Sequence, residues 1–338
     1  MPAQPNFIEF PNIGLLIPLE RVAFSFFGLP IYFYGIIICA AIVLGISYAI
    51  KSAKRVGLLS DSVFDAAFWG VLFGVIGART YFVIFSATDY SLGQAAFGLR
   101  DGGLAFYGGV IGAVIGSAIA FKFRKMPGGS RVPFSPVLDL IGIGFPLGLG
   151  IGRWGNFVNQ EAFGAPTAGN LPWGMSGSII RGNSAVIEAV QAGGDFDSVL
   201  VHPCFLYESL WCLLGFGVLH FYSKKLQTFD GEMFLLFLVW YGSGRAFIES
   251  LRMDSLMVGD LRVSQMVSII AATVALCLFA YFKVMRSPKY AYARFKHTSA
   301  SEKALSEHRY RTKLEKEKER ALTALRRGQR ELNDPFEE

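Results

Sequence analysis

Seven stretches of predominantly apolar residues dominate the chain, at about 31–50, 64–85, 103–123, 134–152, 204–222, 232–251 and 263–284. A helix needs about 17–25 residues to cross some 30 Å of hydrocarbon, and each stretch supplies roughly that many. Lipid offers no partner for backbone N–H and C=O groups, so a spanning segment must pair them internally, which makes helices the default. The composition agrees: 52% of the residues are hydrophobic and only 17% are charged, where soluble domains carry about a quarter charged. The expected fold is an all-α integral membrane protein with seven transmembrane helices over residues 31–285. The fourth stretch is the weakest. Pro136, Pro146 and six glycines between Gly142 and Gly155 predict a short or broken helix, tolerated only where protein or a cavity surrounds it.

Basic residues set the expected orientation, because cytoplasmic loops collect Lys and Arg. One set of loops holds Lys51, Lys54 and Arg55, then Lys122, Arg124, Lys125 and Arg131, then Lys224 and Lys225, and the tail from Met285 adds fourteen more. The opposite set holds only Arg21, Arg100, Arg153, Arg181, Arg252 and Arg262. The N-terminus is therefore expected outside and the C-terminus in the cytoplasm. On this reading the net charge of +6 marks topology, and nucleic acid is not an indicated partner. Residues 1–30 lack a basic start followed by an apolar core and a cleavage site, so the first span is expected to serve as its own insertion signal.

Cys39, Cys204, Cys212 and Cys277 all lie in apolar stretches without CxxC or Cys/His metal spacing. They read as small buried residues, and neither a disulfide framework, a metal site nor a cofactor is indicated. The segment 1–30, with five prolines among aromatics, reads as an irregular or interfacial outer-face piece. Residues 160–203, containing Trp173, read as a small outer-face head subdomain. Residues 286–338 change to Glu/Lys/Arg runs with leucines at 305, 314, 322 and 325. They read as a cytoplasmic tail forming a solvated helix with a weak apolar face.

Against this background the costly residues are the polar ones. Gly152-Arg153-Trp154-Gly155-Asn156-Phe157-Val158-Asn159-Gln160-Glu161 follows directly on an apolar run. Arg79, Asp139, Glu208 and Arg245 lie within other stretches. Intramembrane ionisable groups are functional candidates and usually have a partner. Arg245 and Glu249 are four apart and fit a helix-face ion pair, which Arg252 continues. Arg153, Asn156 and Gln160 share one face if their segment is helical. A guanidinium is permanently charged and matches phosphate oxygens bidentately, so arginines converging in a membrane cavity suit a phospholipid headgroup. Gly102-Gly103-Leu104-Ala105-Phe106-Tyr107-Gly108-Gly109 reads first as close helix packing through small residues. Tyr34-Gly35 is an ordinary interfacial aromatic. His202-Pro203 precedes Tyr207 and Glu208 closely enough for a polar network.

Taken together, these motifs resemble the bacterial prolipoprotein diacylglyceryl transferase family. The likeness rests on Gly152 to Glu161 with Gly164, and on Tyr34-Gly35, Gly77-Ala78-Arg79, Gly102-Gly103-Leu104, His202-Pro203 with Leu206-Tyr207-Glu208, and Tyr241-Gly242 with Arg245, Glu249 and Arg252. It covers roughly residues 20–285. The resemblance implies seven transmembrane helices, an outer-face head and a place in the bacterial inner membrane with the site toward the outer leaflet. It also implies transfer of the diacylglyceryl group of phosphatidylglycerol to the lipobox cysteine next to the signal peptide of a preprolipoprotein. A thioether forms and glycerol phosphate is released. Arg153 and Arg245 match essential arginines, Asn156 a headgroup donor, Tyr34 an essential tyrosine near the lipid, and Gly164 a required glycine. Arg79, Gly108, Glu161, His202 and Glu208 complete the expected substrate-binding set. Many members carry histidine where this chain has Tyr107, a phenol with a pKa near 10 and so a poorer base at neutral pH. Tyr107 orienting the substrate, Tyr107 acidified by an arginine, and a base elsewhere at His202 or Glu208 remain open. The competing classes are a lipid or anion transporter, for which the chain shows no internal repeat, and a seven-helix receptor.

Overall fold

A computed structural model describes residues 6–85, 105–123, 133–167, 171–196, 198–253, 257–258, 261–285 and 294–333. Among these, five helices are long and apolar enough to cross a membrane. They are α1 (Phe33–Ser52), α2 (Ser60–Phe85), α4 (Ser135–Asn159), α6 (Cys204–Lys225) and α8 (Val263–Met285). The third and sixth expected spans appear as α3 (Phe106–Phe123), whose apolar helical stretch is shorter, and α7 (Glu232–Leu251). α7 carries Glu232, Arg245 and Glu249 among its apolar residues, and Glu232 and Glu249 are buried.

The fourth stretch departs from expectation. Instead of a short or broken helix it forms one of 25 residues with Pro146 inside. Its glycines explain the persistence of the helix by close packing. A Cβ at Gly142 would lie 2.6 Å from the Met233 carbonyl oxygen, and one at Gly144 would lie 3.0 Å from the Gly45 carbonyl oxygen. One at Gly150 would lie 2.8 Å from Leu213 Cγ. Neighbouring helices thus come near enough to hold a segment that its intrinsic propensity disfavours.

The chain divides into two compact bodies. The first comprises Met1–Ala49 and Leu138–Tyr292. Here the N-terminal segment is more regular than expected, forming β1 (Phe7–Phe10), β2 (Leu15–Pro18), β3 (Val22–Phe26) and β4 (Leu29–Tyr32). Later come β5 (Pro166–Thr167), β6 (Ser176–Gly177), α5 (Ser184–Gln191) and β7 (Leu200–Val201). β1 pairs antiparallel with β2, and on its other side with β6 through Ile8↔Gly177 and Glu9↔Ser176. Phe7-Ile8-Glu9-Phe10 has strand periodicity, which sends Ile8 and Phe10 into a core with Met175, Ile180, Val186, Val199, Val201 and Phe205. Residues 160–203 therefore share their core with N-terminal strands.

Within the same body, α6 and α7 are keyed by two tryptophans. The Trp211 and Trp240 rings stack at 4.6 Å, and each indole N–H donates to the other residue's carbonyl oxygen, at 2.9 and 3.0 Å. Farther along, the buried Asp139 of α4 accepts from the backbone N–H of Gly231 and Met233 at the start of α7. Glu232 accepts from Lys283 of α8 at 2.6 Å. These carboxylates meet the orphan donors of a helix N-terminus and a half-buried ammonium. Asp139 of the fourth stretch is thus tied to the start of α7.

The second body comprises Ile50–Val137 and Ala293–Glu338. α2 and α3 pack through glycines: a Cβ at Gly77 would lie 2.5 Å from the Gly108 carbonyl oxygen, and one at Gly112 would lie 2.1 Å from that of Phe73. The tail forms α9 (Ser299–Asn333), a charged and largely exposed helix as expected. Its start is seated, because the buried Ser301 donates to the Gly57 carbonyl oxygen at 2.8 Å.

Candidate functional site

The last turns of α4 bring Arg153 and Asn156 beside α6 and α7. Glu208 of α6, 2% exposed, is the hub. Its Oε1 lies 2.5 Å from Arg153 Nη2 and its Oε2 lies 2.9 Å from Arg245 Nη1. The Tyr241 hydroxyl donates to Oε1 at 3.3 Å. Arg245 Nη2 continues to Glu249 Oε2 at 2.8 Å, the ion pair that four-residue spacing predicts. The result is an alternating chain, Arg153–Glu208–Arg245–Glu249, carrying two positive and two negative charges. Burying four charges is tolerable only when each is paired. The arginine side chains keep 16% and 14% of their surface open.

Beside this chain, Arg153 donates to Asn156 Oδ1 at 3.4 Å, while Asn156 and Asn159 donate to Glu161 at 3.4 and 3.2 Å. Tyr34 of α1 packs its ring over Gly155, where a Cβ would lie 2.8 Å from the ring. The glycine between Trp154 and Asn156 is what lets that ring approach. Gln160 corrects the single-face reading. α4 ends at Asn159, Gln160 turns into left-handed backbone at φ 56°, and its buried amide donates to the Phe7 carbonyl oxygen and accepts from Ile179 N–H. It secures the strand region and does not line the arginine face.

A second knot holds Gly164, His202 and Arg252. Gly164 bridges to Arg252, and its N–H donates to the His202 carbonyl oxygen at 2.8 Å. A Cβ there would lie 2.7 Å from His202 Cβ and 2.8 Å from the Leu251 carbonyl oxygen, so no larger residue fits. His202 Nδ1 shares a hydrogen bond with the Tyr207 hydroxyl at 3.2 Å, which accepts from Trp173 at 2.7 Å. His202 and Tyr207 thus form part of the network expected near His202, whereas Glu208 pairs with the arginines instead. Loss of solvent pushes the His202 imidazole below its ordinary pKa of 6.5.

Arg79, Tyr107 and Gly108 belong to the second body. Arg79 is buried with its guanidinium 5.3 Å from the Phe82 ring centroid. Gly108 lies where a Cβ would meet Tyr81 Cβ at 2.3 Å, a close approach that the packing of α2 and α3 demands. Tyr107 falls in the first turn of α3 and its side chain lies outside the described residues. Sequence reasoning missed the supporting role of Tyr241 toward Glu208 and the Trp211/Trp240 key. A signal was present: each tryptophan is followed four residues later by glycine, Gly215 and Gly244, and each glycine accommodates the opposing indole.

Apolar helices of membrane length mark a membrane protein, and its described residues hold a paired arginine–glutamate chain. The comparisons with known proteins are specific. The prolipoprotein diacylglyceryl transferase family matches residues 21–281, and the chain belongs to that family. It is 40% identical over 253 residues to the phosphatidylglycerol–prolipoprotein diacylglyceryl transferase of Finegoldia magna, covering 74% of this chain and 91% of that protein. The enzyme of the same name from Clostridioides difficile is 38% identical over 264 residues, 78% and 95% of the two chains. That from Staphylococcus carnosus is 39% identical over 282 residues, 82% and 96%.

Proposed function

We propose that this protein transfers the diacylglyceryl group of phosphatidylglycerol to the cysteine thiol of a prolipoprotein, as the names of its relatives state for them. The lipobox cysteine beside the signal peptide is the acceptor. The thiolate attacks the glyceryl carbon that carries the phosphate, an S–C bond forms and the C–O bond breaks. The electron pair leaves on the phosphate oxygen of glycerol phosphate, and the thiol proton passes to a base. We further propose seven spans, α3 and α7 being two of them, in a bacterial inner membrane with the N-terminus and site outward and the tail in the cytoplasm.

The observation that carries this reading is the convergence of Arg153 and Arg245 on Glu208. Phosphate gains a negative charge as the C–O bond breaks, and two preorganised guanidiniums in a dry site stabilise that charge without reorganising. Glu208 keeps them fixed and neutralised between turnovers. With both of its oxygens engaged by arginines it is a weak base, so it serves as a positioning residue. Asn156 and Tyr34 lie alongside to orient the headgroup. Arg79, Gly108, Glu161 and Gly164 complete the substrate-binding set, and the base rests with Tyr107 or His202. The test gives purified protein phosphatidylglycerol vesicles and a lipobox peptide. The expected result is equimolar glycerol phosphate and thioether-linked peptide by mass spectrometry. Folded protein that yields neither would sink the transferase reading.

A further inference from the structure

The β3–β4 hairpin presents apolar side chains on both of its faces. Phe24, Phe26, Leu29 and Tyr32 are all exposed, and Phe27 at the tip is 88% exposed. Its strands pair through Phe26↔Leu29, Ser25↔Pro30 and Phe24↔Ile31, leaving a two-residue turn of Phe27 and Gly28. Both turn residues have positive φ, 49° and 76°. Such a turn favours Asn-Gly, since a left-handed backbone crowds a Cβ that lacks a compensating polar side chain. This chain keeps a phenylalanine there and projects it outward. A lone two-stranded ribbon with apolar residues on both faces is poorly suited to water.

The hairpin's surroundings indicate what covers it. No charged residue occurs from Val22 to Ile50, so the apolar character of the hairpin runs unbroken into α1, a membrane-length helix that starts at the next residue after β4. Among the described residues no third strand pairs with the hairpin's outer edges, whose N–H and C=O groups cannot enter hydrocarbon unpaired, whereas the headgroup boundary still supplies hydrogen-bond partners. Its base is fixed: the Phe33 N–H donates to the Arg21 carbonyl oxygen, and Arg21 Nη2 donates to the carbonyl oxygen of Asn159 at 2.8 Å. Asn159 ends the helix that carries Arg153 and Asn156.

We infer that the β3–β4 hairpin is a lipid-engaging arm whose tip, Phe27, lies at the headgroup–acyl boundary of the bilayer and helps deliver a phospholipid to the arginine site. The arm rests on the proposed function for its consequence in turnover, though not for its contact with lipid. Phe27→Asn separates the two roles of the position, because asparagine suits the left-handed turn and removes the aromatic. In vesicles the variant is expected to raise the KM for phosphatidylglycerol about fivefold, the effect of losing part of one aromatic's burial. Its kcat should stay within about a factor of two, the spread ordinary for a distant surface change. With the lipid presented in detergent micelles, variant and wild type should match. An unchanged KM in vesicles overturns the arm, and so does an equal defect in micelles, which would place Phe27 in the fold or the site. Independently, a photocrosslinking phenylalanine analogue at position 27 of the full chain in vesicles should yield a lipid adduct. An adduct to protein alone, whether a second copy or the lipobox peptide, overturns the arm. Wild type that forms the lipid adduct yet turns over nothing would sink the transferase reading while leaving the arm in place.

Discussion

At the scale of single residues, Glu208 decides how the arginines are held. Glu208→Gln removes the negative charge between Arg153 and Arg245 and leaves two largely enclosed guanidiniums without the carboxylate that joins them. Losing one member of such a network costs about 3–5 kcal/mol. The expected outcome is a lower melting temperature in detergent together with a loss of kcat larger than any change in KM; an unaltered melting temperature would remove Glu208 from its positioning role. His202 gives the pH dependence. Burial lowers its imidazole below 6.5, so the fold prefers the neutral form. The stability from this preference is intact above the unfolded pKa and is lost as pH falls below about 6.5 toward the depressed folded value. His202→Gln should flatten that acid limb in melting scans between roughly pH 7 and 5, a window set by the ordinary histidine pKa; an unchanged limb assigns the dependence to another group. The Arg245–Glu249 pair was legible because helix spacing alone brings it together. The Arg153–Glu208 and Arg245–Glu208 pairs were not, since only tertiary packing brings α4, α6 and α7 to one point.

At the scale of elements, what aligns α6 with α7 also aligns the site. The reciprocal indole bonds fix the register of the two helices, and Glu208 lies three residues before Trp211 and Arg245 five residues after Trp240 on their own helices. A Cβ at Gly244 would fall 2.1 Å from Trp211 Nε1. Gly244→Ala is therefore expected to force the helices apart, at a cost of about 1–3 kcal/mol for overpacking. It should cut turnover although no reacting group changes. A variant with wild-type melting and turnover would show that the tryptophan stack can shift without disturbing Glu208. Element type was readable wherever apolar length dominated. α4 was misjudged because proline and glycine propensities were weighed without the neighbouring backbones that those glycines admit. The strands of the N-terminal segment were missed because four-residue alternation such as Phe7 to Phe10 is short beside the prolines around it. Ile8 and Phe10 find their core in residues 175–205, far along the chain.

At the scale of the whole molecule, the family match ends at residue 281, yet the chain continues into a seated helix. Phe295, Ser301 and Ala304 are buried, as are Ala53, Val56, Leu58 and Leu59 in the turn between α1 and α2. Gly57 in that turn has φ 83°, and a Cβ there would lie 2.5 Å from Lys296 Cα. Composition reveals the charged helix but not this seat, because Phe295 and Ser301 look ordinary until Gly57 brings the backbone close. The tail thus has two parts with different expected consequences. Beyond about residue 306 the helix is largely exposed, so truncation there should leave melting temperature and turnover near wild type. Truncation before Arg294 uncovers the apolar turn and strips the Ser301 hydroxyl from the Gly57 carbonyl oxygen. Burial of side chains the size of Phe295 is worth about 1.5–3 kcal/mol each. The shorter protein should therefore insert at lower abundance and melt several degrees earlier, with the KM for phosphatidylglycerol unchanged in the fraction that remains folded. Equal melting of the two truncations would make the seat dispensable, and a selective loss of turnover in the longer one would give the exposed helix a part in catalysis.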